Sequence, residues 1–254
     1  MLRTLGVVDV PPQDSSANLA LNTLAARNLG GKSLLEWIVR RLTDAMLLEQ
    51  VAMIAVGPDH ARWMRRIVPA NAAVFTADET SDPISRLASA AREFGADAIV
   101  RVPVDHAFVD PALVDRLIAK AESQRHCDYL SYCSARGGSA LLKKLGVVAE
   151  WFRAATVQLA DQEARFPDER GDLSRFVRSH PELFHLRLLP LPERLDRDDL
   201  RLAISGEDDW DHIQMILDAL GPDNMEWQQI AKLLDEHPAL RERMAALNGE
   251  ACVV

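Results

Sequence analysis

Hydrophobic residues in the first half of the chain follow two alternating periods. Short continuous apolar runs, typical of buried strands, are followed by stretches in which apolar residues recur every three or four positions, typical of amphipathic helices. The runs predict strands at 5–10, 50–57, 73–75 and 98–105, and the stretches predict helices at 33–48, 60–67, 83–94 and 111–123. The turn-rich segment 11–24 predicts a long loop. Strands that alternate with helices of about 10–15 residues predict βαβ units and an α/β fold with a mostly parallel sheet.

The second half of the chain has a less regular pattern. It predicts strands at 127–133, 145–152, 183–191 and 200–204, and helices at 154–164, 173–179, 208–220 and 225–237. No linker rich in proline, glycine or serine divides the sequence. We therefore expect a single domain over 1–254, with a first half at 1–125, a second half at 126–220 and a C-terminal helical extension at 221–254.

Composition and charge limit the expected partners and compartment. The 254 residues are 48% hydrophobic, which is enough for one large α/β domain or two small ones. A formal charge of −9 argues against nucleic acid as a partner, because binding it needs a basic face. The three cysteines have no metal-binding spacing, no apolar run approaches ~20 residues, and no signal peptide pattern is present. These features predict a cytoplasmic protein with no membrane partner.

The segment Gly31-Lys32-Ser33 has more than one interpretation. It matches the end of the phosphate-loop pattern G-x-x-x-x-G-K-[ST], but Ala26 stands where the first glycine should be. A P-loop must also leave a buried strand directly, whereas the strand at 5–10 ends about 20 residues earlier. A P-loop NTPase is therefore the less favoured alternative. Lys32 could still bind phosphate at a helix N-terminus, which favours anions, or it could be an exposed lysine beside a turn.

Asp105 ends the predicted strand 98–105. In open parallel sheets ligands bind beyond the carboxyl ends of the strands, so a carboxylate here could hold Mg²⁺, a hard cation with oxygen ligands. Alternatively, Asp105 caps the turn that follows it, as aspartate often does. The neighbouring His106 is either a candidate base or an exposed turn residue.

Several segments resemble, in the same order, the cytidylyltransferases that activate sugar acids. LGGKSLLEWIVRRLTDA at 29–45 is similar to the family's GGKPLLEHVIERL. The long segment 78–118, which contains DPISRLASAAREFGADAIVRVPVD, is similar to the next family block. FVRSHPELFHLRLLPLP and LRLAISGEDDWDHIQMIL resemble the end of the family domain. IAKLLDEHPAL resembles the helix that follows in spore coat polysaccharide biosynthesis protein F.

This resemblance implies a nucleotide-diphospho-sugar transferase (Rossmann-like) fold, which is a three-layer α/β/α sandwich. It also implies transfer of CMP from CTP to a sugar acid, with release of pyrophosphate, in surface polysaccharide biosynthesis. By position, Asp105 resembles the family's metal-binding aspartate and would bind Mg²⁺, and Lys32 would act with it in catalysis. The implied nucleotide contacts are Val8, Asp9, Val10, Arg27, Lys32, Asp82, Arg86 and Arg101, and the implied sugar contact is Glu150.

The resemblance further implies a homodimer. The half at 1–125 would bind the nucleotide, and the half at 126–220 would bind the sugar and form the dimer contact. Trp151, Phe152 and Val157 are interspersed with charged residues in this second half. Interfaces are enriched in aromatic residues, so these three side chains are expected at the dimer contact.

The sequence departs from the family pattern at the positions that handle charge. Family members begin with a loop whose arginine and lysine hold the triphosphate, but no arginine or lysine occurs between Thr4 and Ala26. The second metal aspartate falls on Ser205, and the acidic residues 207–209 are displaced from it. Cations near the leaving group stabilise the transition state, so slow CTP turnover is expected unless Arg27 and the acidic residues substitute. The alternative is a catalytically impaired family member that binds a nucleotide or a partner.

Overall fold

The computed structural model describes residues 1–11, 16–135 and 144–250. The strands are β1 (Thr4–Asp9), β2 (Asn28–Leu29), β3 (Lys32–Ser33), β4 (Gln50–Val56), β5 (Ala73–Ala77), β6 (Ala98–Val102), β7 (Tyr129–Cys133), β8 (Glu150–Arg153) and β9 (Leu186–Pro190). The helices are α1 (Ser16–Ala26), α2 (Leu34–Thr43), α3 (Gly57–Met64), α4 (Pro83–Glu93), α5 (Pro111–Glu122), α6 (Ala154–Glu163), α7 (Pro167–Arg170), α8 (Leu173–Ser179), α9 (Glu207–Leu220), α10 (Trp227–Glu236) and α11 (Pro238–Glu250).

A seven-stranded sheet in the order β5-β4-β1-β6-β8-β7-β9 forms the centre of the fold. Strand β1 pairs in parallel with β4 and β6, and β4 pairs in parallel with β5. Strand β8 runs antiparallel to its neighbours β6 and β7, and β9 is parallel to β7. The mostly parallel sheet predicted from the sequence is therefore confirmed. The chain moves outward from β1 to β4 and β5 and then returns to β6, so the strand order reverses between β1 and β6.

Helices cover both faces of this sheet. Side chains alternate along β1, so Val8 packs in a hydrophobic cluster with α2, α5 and α9, whereas Val7 packs in a second cluster with α4, α6 and α8. Residues that are apolar on both sides of a strand are typical of parallel sheets buried between helix layers. The resulting three-layer α/β/α arrangement matches the expected fold class.

For two segments, the secondary structure expected from the sequence is wrong. Residues 16–24 of the expected loop at 11–24 belong to the helix α1, while residues 12–15 lie outside the described part of the chain. Leu21 and Leu24 of α1 pack on the core, and the buried Asn22 donates a hydrogen bond to the Pro11 carbonyl at 2.6 Å. The segment 200–204 is buried but is not a strand. Tertiary contacts outweigh local composition in both segments.

The segment 200–204 satisfies its backbone without joining the sheet. The N–H groups of Leu202 and Ala203 both donate to the Lys144 carbonyl at 2.9 Å, and the Ile204 N–H donates to the Asp105 carbonyl at 3.0 Å. Buried backbone groups need partners, but those partners need not form a strand ladder. This segment therefore fastens the turn that carries Asp105 to the C-terminal half of the fold.

Trp151, Phe152 and Val157 do not form an exposed surface. Each side chain is fully buried within the chain, Trp151 in one hydrophobic cluster and the other two in the second. The expectation that these residues contact a second copy is wrong, because β8 and α6 place them inside the layers. Their aromatic and apolar character serves the core of this half.

Replacement of Asp110 by alanine is expected to lower the free energy of unfolding by about 2–3 kcal/mol, since two backbone donors lose their acceptor. The Asp110 side chain accepts the Leu113 N–H at 3.0 Å and the Trp227 N–H at 2.9 Å, so it caps α5 and holds the start of α10. Urea denaturation would measure the change. Asp59→Ala is the control, because Asp59 is exposed and pairs on the surface with Arg62. Equal stability of the two variants would contradict this role of Asp110.

Candidate active site

A cleft of about 510 Å³ opens at the carboxyl ends of β1 and β6, where the strand order reverses. Ligands of open α/β sheets bind at such a switch point. The ends of the two strands supply Asp9 and Pro11 on one side and Pro103 to Asp105 on the other. The start of α4 and the segment before α8 complete the wall. The charged residues that line the cleft are Asp9, Glu79, Asp82, Arg86, Arg101, Asp105 and Asp172.

Asp105 lies in a turn three residues beyond the end of β6 and lines the cleft. Its side chain is 23% exposed, and Oδ1 is 3.9 Å from Nε2 of His106. His106 itself is buried, with Nδ1 2.9 Å from the Val148 carbonyl oxygen. His106 is therefore a packed histidine behind the turn. Its neighbour Asp105 has a carboxylate that is open to a ligand.

Asp9 and Arg86 form a loose buried pair at the floor of the cleft. Nη2 of Arg86 donates to Oδ2 of Asp9 at 3.5 Å, and the side chains are only 4% and 10% exposed for Arg86 and Asp9 respectively. Arg86 also donates to the Ser81 carbonyl at 3.1 Å. Within the described residues, Oδ1 of Asp9 and Nε of Arg86 have no hydrogen-bond partner. Both residues thus keep unused hydrogen-bonding capacity beside the cleft.

His60 lies behind this pair, on α3. Its Nδ1 accepts the Val56 N–H at 3.1 Å, and its Nε2 lies 3.1 Å from Oδ1 of Asn22. Burial lowers the pKa of His60 and Arg86 lowers it further, against the opposing attraction of Asp9. A neutral imidazole suits both contacts, since one ring nitrogen accepts and the other donates.

Arg101 is held at the cleft by a buried hydrogen-bond network. Its Nη1 lies 3.3 Å from Oε2 of Glu150 and 3.1 Å from the Ser174 hydroxyl, which also donates to Glu150. The other oxygen of Glu150 accepts the Tyr129 hydroxyl at 2.5 Å. Burial opposes the charge of Arg101, but Glu150, Asp172 and Asp9 outweigh it and raise the Arg101 pKa. Glu150 is 1% exposed and does not line the cleft, so it reaches a ligand only through Arg101.

Asp82 lines the cleft but is already occupied by structural contacts. One oxygen caps α4, and the other accepts Nε of Arg170 at 2.7 Å. Burial raises the pKa of Asp82, but the hydrogen bonds from Arg170 and Ser85 outweigh burial and lower it. Its carboxylate therefore holds α4 and the segment around Arg170 together at the edge of the cleft.

Four of the residues expected to contact the nucleotide do not line the cleft. The Val8 and Val10 side chains are fully buried in the core. Lys32 is half-buried in β3, and its side chain makes no hydrogen bond or ion pair with the described residues. Arg27 is paired through two bonds of 2.8 and 2.6 Å with Glu207, and its guanidinium lies 4.1 Å from the Trp210 ring centroid. Arg27 thus links α9 to the hairpin formed by β2 and β3.

The glycine pair before Lys32 does not form a P-loop. Gly30 and Gly31, with φ values of +58° and +83°, make the turn between β2 and β3, and Ser33 caps α2. The helix α1 separates this hairpin from β1. A phosphate loop would leave the central strand directly, so the alternative of a P-loop NTPase is wrong.

Two of the acidic residues near Ser205, Glu207 and Asp209, have structural partners. Asp209 is buried and makes two bonds with Arg201, at 2.6 and 3.1 Å, and it also accepts the Ser205 N–H at 2.8 Å. The Ser205 hydroxyl accepts Nζ of Lys144 at 2.9 Å. Glu207 is committed to Arg27. A lysine ammonium, rather than a second carboxylate, therefore stands at Ser205.

Glu79 and Asp172 line the cleft, although sequence analysis did not single them out. Asp172 caps α8 by accepting the N–H groups of Ser174 and Arg175. Glu79 lies over Gly57, so that a side-chain carbon on that glycine would fall 2.6 Å from its Oε1. A capping pattern precedes α8 in the sequence, but only the packing of distant segments shows that this cap reaches the cleft.

The carboxylate oxygens in this cleft suit a hard divalent cation that is held partly by the protein and mainly by the phosphates of a substrate. No group of three or more histidine, cysteine, aspartate or glutamate side chains is assembled as a metal site in the described ranges. Mg²⁺ does not need such a group, because one or two carboxylates, waters and substrate phosphates complete its octahedron. Asp105 is partly exposed and Asp9 has an unpartnered oxygen, so the residues present fit this type of binding.

The three-layer arrangement and the cleft at the strand-order reversal are those of the nucleotide-diphospho-sugar transferase fold. Residues 25–209 match the MobA-like NTP transferase domain, and the chain belongs to this family. Spore coat polysaccharide biosynthesis protein SpsF of Bacillus subtilis (strain 168) is 28% identical over 151 residues, which are 58% of this chain and 59% of SpsF. The aligned region thus spans about three fifths of that relative's length.

Solved structures are similar to the chain over most of its length. A cytidylyltransferase from Leptospira borgpetersenii has a TM-score of 0.77 at 20% identity, covering 94% of this chain and 95% of the other. CMP:2-keto-3-deoxy-manno-octonic acid synthetase complexed with CTP has a TM-score of 0.62 at 10% identity, covering 85% and 99% respectively. At these identities the likeness concerns the fold, which is that of the nucleotidyltransferases. Within the described residues, no helix has the length and apolar character needed to cross a membrane.

Proposed function

We propose that this protein transfers CMP from CTP to a sugar acid and releases pyrophosphate, as a step in surface polysaccharide biosynthesis. The observation that carries the proposal is the partly exposed carboxylate of Asp105 in a cleft at the switch point of the sheet. The family membership supports nucleotidyl transfer, and the name of SpsF favours a role in polysaccharide biosynthesis. The names of the two solved structures favour cytidylyl transfer, and one of them names CTP and a sugar acid.

The proposed roles follow from where each side chain lies. Asp105 would bind Mg²⁺, which would neutralise phosphate charge and act as a Lewis acid. Arg86 and Arg101 line the cleft and would donate hydrogen bonds to phosphate or carboxylate oxygens. Glu150, Ser174 and Tyr129 would position Arg101 through their buried network. Lys32 would need to approach from the hairpin formed by β2 and β3, and its ammonium is available because it has no partner among the described residues.

A second candidate function is nucleotide binding without efficient transfer. This function is favoured by two sets of contacts. Arg27 is ion-paired with Glu207 and stacked on Trp210, and Asp209 is ion-paired with Arg201. These residues are the ones nearest in sequence to the missing cations and the missing second metal ligand. If they stay in these contacts, the leaving pyrophosphate has fewer cations to stabilise it and turnover is slow.

Calorimetric titration with CTP, ATP and GTP, with and without Mg²⁺, tests the proposal, together with pyrophosphate release over a panel of sugar acids. Tighter binding of CTP with Mg²⁺ and acceptor-dependent pyrophosphate release are the expected results. CTP binding without release over the whole panel would favour the second candidate. Failure of all three nucleotides to bind would overturn both.

We expect the protein to form a homodimer. The buried Trp151 and Phe152 no longer support this expectation, but the second half exposes Phe166 and Leu188, at 62% and 48%. Leu188 lies on the edge strand β9, where an unpaired strand edge can pair with another chain. Light scattering at micromolar concentration should give twice the 28.2 kDa mass of the chain. The mass of a single chain would contradict the expectation.

A further inference from the structure

We propose that Asp9 masks the phosphate-binding guanidinium of Arg86, so that the cleft accepts the metal complex of a nucleotide and rejects the metal-free nucleotide. The inference rests on the proposed function for its ligand class, and it adds a residue that selects between two forms of that ligand. Asp9 is the selecting residue and Arg86 is the residue that it controls.

The geometry of the pair is that of an incomplete interaction. A fully formed aspartate–arginine pair makes two parallel bonds, whereas here a single contact of 3.5 Å joins Nη2 of Arg86 to Oδ2 of Asp9. Oδ1 of Asp9 and Nε of Arg86 have no partner in the described part of the chain, although both side chains are at least nine-tenths buried. Unpaired buried polar atoms are costly, so a ligand that satisfies them gains affinity.

The charge around Asp9 and Arg86 determines which ligand can satisfy their unpaired atoms. Among the described residues, five carboxylates and two guanidiniums line the cleft. Arg101 is already paired with Glu150 through Nη1, whereas the buried Nε of Arg86 has no partner among the described residues. A metal-free triphosphate would meet this acidic surface and would have to compete with Asp9 for Arg86. Like charges brought together in this way disfavour binding.

A divalent cation removes both obstacles. Asp9 ends β1, and Asp105 follows β6, the strand that pairs with β1 in parallel, with Val8 opposite Val102. A carboxylate oxygen of Asp9 can then turn to the cation, and Arg86 can turn to the phosphate oxygens. The ion pair of the free protein is thus exchanged for two contacts with the metal–nucleotide complex.

The first test measures CTP affinity by calorimetry in EDTA and in Mg²⁺ for the wild type, Asp9→Asn and Glu79→Gln. Glu79→Gln is the matched control, since it removes the same charge from the cleft lining at a residue that does not contact Arg86. Asp9→Asn should bind metal-free CTP about tenfold more tightly than the wild type, because Arg86 is unmasked. Glu79→Gln should change this affinity far less. Equal shifts in the two variants would overturn the proposal, because only net charge would then matter.

The second test uses Mn²⁺ without nucleotide, followed by electron paramagnetic resonance, on the wild type and Arg86→Gln. The variant should bind Mn²⁺ several-fold more tightly, because Asp9 no longer pairs with Arg86. Unchanged or weaker Mn²⁺ binding would overturn the proposal, and this arm decides the matter if Asp9→Asn does not fold. Failure of every nucleotide to bind the wild type in Mg²⁺ would instead overturn the proposed function, whatever the Mn²⁺ result.

Discussion

Replacement of Asp105 by asparagine is expected to reduce Mg²⁺-dependent pyrophosphate release by about 10²–10³-fold. The carboxylate of Asp105 is partly exposed in the cleft, and asparagine keeps its size while removing the charge that attracts a hard cation. The loss should appear in turnover and in Mn²⁺ binding followed by electron paramagnetic resonance. Thermal unfolding should change little, since the turn is held by the main-chain bond from Ile204.

Glu79→Gln serves as the control for Asp105→Asn. Glu79 is exposed at the rim of the same cleft, and its replacement lowers the acidic charge by the same amount. A large loss with Asp105→Asn and a small change with Glu79→Gln would assign the effect to the position of the carboxylate. Full Mn²⁺ binding by Asp105→Asn would remove this residue from the metal site.

Gly146→Ala is expected to destabilise the protein by about 3 kcal/mol, because a positive φ costs about 1–2 kcal/mol and overpacking a similar amount. Gly146 has a φ of +64°, and an added Cβ would lie 2.1 Å from the Leu202 carbonyl oxygen. The clash is with backbone, so it cannot be relieved by rotation of a side chain. For a domain of this size the midpoint of thermal unfolding should fall by about 6–12 °C.

The same substitution should also weaken Mg²⁺-dependent CTP binding. The segment 200–204 hydrogen-bonds both to Lys144 and, through Ile204, to the Asp105 carbonyl, so its displacement disturbs the turn in the cleft. Gly249→Ala is the control, since an added Cβ in α11 meets no atom of the described residues within 4 Å. That variant should be as stable as the wild type or slightly more stable. Similar midpoints for the two variants would show that the chain can move away from residue 146.

The sequence pattern predicted the first half of the fold, at 1–125, well. β1, β4 and β6 are mostly apolar runs, and α4 and α5 start with Asp-Pro pairs in which the aspartate caps the helix. These signals are local, because they depend on residues within one strand or one turn. They were enough to predict a parallel sheet and to locate Asp105 near the ends of its strands.

The pattern failed where distant contacts decide the outcome. The helix α1 begins after a turn-rich segment and is stabilised by packing on the core, and the buried run 200–204 finds its partners at Lys144 and Asp105. The apolar residues of β8 and α6 have the composition of an interface but are covered by the chain itself. Burial of an apolar segment does not specify what covers it.

The sequence by itself determined the fold class, the alternation of strands and helices in the first half of the chain, and the set of charged residues from which a site could be built. Only the tertiary structure decided which of these charged side chains pair with each other and which stay open to a ligand. It pairs Asp9 with Arg86, which is 77 positions away, and Arg27 with Glu207, which is 180 positions away. Side-chain charges act over a few ångströms in a partly buried setting, and that separation depends on packing rather than on sequence distance. For this reason Asp105 remains open to a ligand, while Asp82, Glu150 and Asp209 hold the structure around it.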